Sequence, residues 1–130
     1  MKVRTDFVTN SSSSSFIIAK HKDCTYAEVK ESVSKQKDKI GSFLDKYINH
    51  IYPEDDEIKT EYRAGDKEKA TELAIQEIAE SLFFFTGEAS MDLGDWSVHS
   101  EEMGDEDGCF FHNIMYDFGS LFKSKHMKIS

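Results

Sequence analysis

The sequence has no Lys or Arg between Gly87 and Phe122. That stretch of 36 residues carries nine acids: Glu88, Asp92, Asp95, Glu101, Glu102, Asp105, Glu106, Asp107 and Asp117. The whole chain has 16 Lys+Arg against 25 Asp+Glu, a formal net charge of −9. Outside the stretch, acids and bases are equal at 16 each, so the whole excess belongs to one segment. Such a chain lacks the positive face that neutralises phosphates and the basic patch that holds anionic membranes. Direct binding to nucleic acid or to a membrane surface is therefore not expected.

Other shortages narrow the class. The two cysteines, Cys24 and Cys109, are too few for a disulfide framework, and reduced thiols in a cytoplasmic protein are expected. The longest strictly apolar runs are the four residues Phe16 to Ala19 and Leu82 to Phe85, against about 20 for a membrane helix. Lys2 and Arg4 lead into Asp6 and serines rather than an apolar run, so no secretory leader is expected. The single proline, Pro53, disfavours a helical Tyr52.

What is present suits one globular domain over 1–130. Hydrophobic residues are 38% of the chain and aromatics 12%, with ten Phe, enough to build a core. Phe16-Ile17-Ile18-Ala19 predicts a strand buried on both faces, hence central in a sheet. Thr25-Tyr26-Ala27-Glu28 has capping-box spacing, with Glu28 reaching back to the start of the helix. Val29, Val33, Ile40, Phe43, Leu44, Tyr47, Ile48 and Ile51 follow at helical spacing, interrupted at Gln36-Lys37. Residues 54–65 read as an exposed acidic connector, with Ile58 and Tyr62 as its candidate core contacts. Asp66 predicts the cap of a second helix carrying Ala70, Leu73, Ala74, Ile78, Leu82 and Phe85, which Gly87 stops.

Trp96 and Val98 alternate with Ser97, His99 and Glu101, the pattern of a strand with one wet face bearing His99 and Glu101. Trp96 is expected in the core. Asp107 predicts the cap of a third helix, and the alternation at 125–129 a short final strand. The order β-α-α-β-α-β implies an α+β domain with a sheet of about three strands and helices packed on it.

The N-terminus, Arg4-Thr5-Asp6-Phe7-Val8-Thr9-Asn10 followed by Ser11 to Ser15, Phe16 and Ile17, resembles an N-terminal signature of small bacterial and phage proteins whose function is uncharacterised. The match covers about 14 residues. It implies a bacterial or phage source and says nothing of chemistry. The serine run (Ser11, Ser12, Ser13, Ser14, Ser15) reads as a solvated connector or as a hydroxyl-rich loop gripping a partner or ligand. It holds no glycine, so it is not a phosphate loop.

Candidate chemistry concentrates in the acidic segment. His99 and Glu101 share a strand face, and Cys109 and His112 lie one helical turn apart. Together they form the candidate site of a small enzyme, with Cys109 as nucleophile and His112 as base. Asp105, Glu106 and Asp107 are candidate binding residues, although a helix N-terminus already favours acids there. Gly108 does not place ligating residues in calcium-loop register, and no cofactor or metal is expected. His21, His50 and His126 show no partner in the sequence. Of Phe83-Phe84-Phe85, two are needed inside a helix, so Phe84 is expected outside as a contact residue.

The leading reading is a non-catalytic interaction or regulatory module whose acidic face meets a basic protein surface. The alternatives are the small enzyme and a structural homodimer joined through Phe84 and the first helical stripe.

Overall fold

The computed structural model describes residues 14–50, 56–103, 111, 113–115 and 119–130. Its first strand, β1 (Ser14–His21), contains the apolar run. Phe16 and Ile18 join one buried cluster, while Ile17 and Ala19 join another with Val98. Successive side chains on a strand point to opposite faces, so β1 is buried on both, as its unbroken hydrophobicity requires.

The sheet has the order β2-β3-β1-β4, with β2 at Ala89–Leu93, β3 at Trp96–Met103 and β4 at Met127–Ile129. All pairings are antiparallel. β1 is therefore interior, as expected, but among the described residues the sheet has four strands rather than about three. β2 escapes sequence reading because all five of its residues are exposed, which leaves no alternation to find. β1 also starts inside the serine run, where Ser14 and Ser15 pair with Met103 and Glu102. A ladder uses backbone groups, so serine can enter one.

Four α-helices are described: α1 (Tyr26–Ser34), α2 (Lys37–Tyr47), α3 (Glu57–Arg63) and α4 (Lys67–Phe83). The interruption at Gln36-Lys37 is the junction of α1 and α2. α2 passes into a 3-10 turn, Ile48–His50, before Tyr52 is reached. The acidic connector is corrected. It contains α3, capped by Asp56, whose carboxylate accepts from the Ile58 amide at 2.8 Å. Ile58 and Lys59 are buried and Tyr62 is half-buried. The element order is thus β-α-α-α-α-β-β, then helical residues 111 and 113–115, a 3-10 turn (Gly119–Leu121), and β4.

α4 is the central helix and packs against α1, α2 and α3. Asp66 caps it as expected, accepting from the Lys69 amide at 3.0 Å. Its Ala70, Ala74, Ile75, Ile78, Ala79 and Leu82 are buried with Phe16 and Ile18 of β1. Val29, Val33, Ile40, Phe43 and Leu44 of α1 and α2 lie in the same core. Val29, Val33, Ile40, Phe43, Leu44 and Ile48 of the first helical stripe are thus turned inward, Tyr47 is half-buried, and Ile51 lies outside the described residues. Gly87, in left-handed backbone (φ +62°), lets the chain leave α4 and run against β3. A Cβ there would lie 2.3 Å from the Ser100 carbonyl oxygen.

Candidate functional site

A dense polar arrangement among the described residues joins the end of β1, the start of α1 and the turn before β4. Thr25 caps α1 by accepting from the Glu28 amide at 3.2 Å, half of the expected capping box. The other half is corrected, because the Glu28 carboxylate turns to the C-terminal turn instead. It accepts from Ser124 Oγ at 2.5 Å, from the His126 backbone amide at 2.8 Å, and meets His126 Nδ1 at 2.7 Å. Burial pushes the Glu28 pKa up. The bonds from Ser124 and His126, with the charge of His126, outweigh this and hold it down to about 2. Glu28 is thus a fixed negative acceptor that orients the His126 ring.

His21 stands beside that ring, with centroids 5.2 Å apart, and makes a T-shaped contact with Trp96. The backbone brings the two histidines together, since the His21 amide donates to the His126 carbonyl at 2.9 Å. Asp23 lies in the turn after β1. Its amide donates to His21 Nδ1 at 3.0 Å, and its carboxylate approaches the same nitrogen at 3.6 Å. One donor atom each from His21, Asp23 and His126 falls within 4.8 Å of the others. Sequence reading missed this group because Glu28 and His126 are 98 residues apart, and no spacing rule reaches across that separation. Nearby Cys24 is half-buried. Burial and then the Glu28 charge push its thiol pKa up, against Lys20, so it stays protonated and suits packing rather than nucleophilic chemistry.

Lys20, on the helix-packed face of β1, performs a structural task. Its Nζ donates to the carbonyls of Leu82 at 3.0 Å, Phe83 at 2.5 Å and Phe85 at 3.4 Å. These carbonyls lie where the chain leaves α4, a helix with no basic residue in its own last turn, and that of Leu82 also accepts from the Phe84 and Phe85 amides.

The expected wet face of β3 is corrected. His99 pairs with Ile18 and Glu101 with Phe16, and paired residues share a face. Both therefore lie on the helix-packed side, at its margin, where they are half-buried. His99 Nδ1 bonds Ser90 Oγ at 2.8 Å, and its ring meets Phe85 edge-on at 6.3 Å. Burial and then the Lys20 charge push its pKa down, so it is a neutral ring in a packed niche. Trp96 and Val98 point to the other face. There Val98 is buried, and Trp96 is half-buried against it rather than in the main core. Cys109, His112, Asp105, Glu106, Asp107, Ser11, Ser12 and Ser13 lie outside the described residues. Of Ser14 and Ser15, only the strand pairing is described.

β2 forms one edge of the sheet, with Met91 41% and Leu93 45% exposed. They pair with Val98 and Trp96, so they extend the apolar face opposite the helices. Phe84 is 70% exposed, as expected from the triple-Phe run. Glu88 and Asp92 are exposed beside this edge. Asp95 is met by Lys22 at 3.5 Å, so part of the sequence's charge asymmetry is answered in space from the β1–α1 turn. No helix among the described residues is long and apolar enough to cross a membrane. No family model, curated protein or solved structure matches the chain.

Proposed function

We propose that the chain is a non-catalytic interaction domain that takes a basic, extended segment of a partner protein along β2. One observation carries this reading: an outer strand, exposed at every residue, presents Met91 and Leu93 on one side and Asp92 on the other. An open strand edge offers unpaired amides and carbonyls to an incoming strand. The absence of Lys and Arg from 87 to 122 favours a segment in which Lys or Arg alternates with apolar residues. The N-terminal signature and the low cysteine content support a bacterial or phage-infected cytoplasm as its setting. The enzyme reading draws less support, because Ser90 and Phe85 already engage His99.

Selection from a random peptide library tests the proposal. Enriched peptides should be basic with alternating apolar residues, shift the amide resonances of Ala89–Leu93, and weaken with added salt. Met91→Lys with Leu93→Lys should abolish binding. Enrichment of acidic peptides, or shifts confined to other elements, would overturn it. So would a β2-mediated dimer in light scattering, because a second copy would then be the occupant.

A further inference from the structure

We infer that His21, Asp23 and His126 form a binding site for a borderline divalent transition ion of the zinc class, with Glu28 as its positioning residue. The proposal is independent of the β2 surface and rests on different residues.

Three observations carry it. The first is convergence. The last residue of β1, the turn after it and the turn before β4 each supply one donor atom within 4.8 Å of the other two. Zinc bonds to nitrogen and oxygen are about 2.0–2.2 Å, which sets tetrahedral donors roughly 3.4 Å apart. Asp23 Oδ2 already stands 3.6 Å from His21 Nδ1, and its side chain is 65% exposed, so the carboxylate has room to turn toward the third donor. The second is orientation. Glu28 meets His126 at Nδ1, which places that proton between the two groups and leaves Nε2 as the ligating atom. A carboxylate behind a histidine is the usual support of a metal-bound imidazole. Ser124 and the His126 amide hold the carboxylate in turn, so the support is itself fixed. The third is the donor set. Two imidazoles and one carboxylate suit zinc, cobalt, nickel or iron(II). Calcium and magnesium prefer oxygen ligands throughout.

His21 has one adjustment to make. Its Nδ1 accepts from the exposed Asp23 amide. Ligation through Nδ1 exchanges that bond for the metal, and the amide turns to water. A fourth position is left for water or a partner side chain, as in sites with three protein ligands. Bound there, the ion would tie the end of β1 to the short edge strand β4.

The test uses the full chain, stripped with EDTA and dialysed. Zn²⁺ is titrated by calorimetry, Co²⁺ by visible absorption, and the histidine ring resonances are followed by NMR. One ion per chain should bind. The rings of His21 and His126 should shift, while those of His50, His99 and His112 stay in place. His21→Asn and His126→Asn should each weaken binding at least tenfold, and Glu28→Gln by about 10- to 100-fold. Ca²⁺ and Mg²⁺ should not compete. No binding, ring shifts at other histidines, or affinity unchanged in the double variant His21→Asn/His126→Asn would overturn the assignment. Should His126→Asn unfold by circular dichroism, the wild-type ring shifts decide alone.

Discussion

Replacing Lys20 by Met keeps most of the side-chain stem and removes the ammonium, which isolates the task of closing α4. Three carbonyls lie within 3.4 Å of Nζ, at the end of a 17-residue helix whose last turn has no cation of its own. A cation at a helix C-terminus contributes about 0.3–1 kcal/mol, and up to about 2 when partly buried. Hydrogen bonds to a charged group contribute about 1.5–3 kcal/mol. Against these stands desolvation, which pushes the Lys20 pKa down and whose relief in the Met variant returns part of the loss. With the ammonium in contact with the Phe83 ring face as well, at 5.9 Å, the net loss should be about 1–2 kcal/mol. Urea unfolding at neutral pH measures it as a lower midpoint with an unchanged slope. Hydrogen exchange should locate it, with faster exchange at the amides of Phe84 and Phe85, which bond to Glu80 and Leu82. A Lys20→Met protein within about 0.3 kcal/mol of wild type, or one losing protection uniformly rather than at the end of α4, would refute the capping argument.

Two further outcomes follow from other contacts. Glu28 has a pKa of about 2 against an ordinary 4.5, so its stabilisation is complete above about pH 4.5 and is lost as pH falls toward 2. In EDTA, Glu28→Gln should cost roughly 2 kcal/mol at pH 7, and the gap to wild type should narrow from pH 4.5 to 2; a gap constant over that range in urea titrations would exclude the mechanism. Gly87→Ala combines a φ of +62° with a Cβ only 2.3 Å from the Ser100 oxygen, so thermal unfolding should show a loss of more than about 1 kcal/mol. A neutral Gly87→Ala would mean that the chain between α4 and β2 moves aside freely.

The sequence by itself determined the elements whose burial is periodic or continuous. The run Phe16–Ala19 announced an interior strand because a strand covered on both faces buries consecutive apolar side chains, and all four are buried. Thr25 and Asp66 marked helix starts because their hydroxyl or carboxylate meets amides three residues on. Phe84 was placed outside on the argument that one helix face cannot take three successive rings, and it is 70% exposed, although α4 ends at Phe83 and Phe84 is its C-cap. The tertiary structure alone decided the rest. β2 carries no periodic signal, since an edge strand exposed throughout is held by backbone pairing. The face of His99 and Glu101 depended on which side of β3 the helices took, and alternation gives two faces without saying which is wet. Lys20 closes a helix 62 residues away, and Glu28 orients a histidine 98 residues away. Such contacts have no sequence period, because they are made by the packing of elements rather than within any one of them.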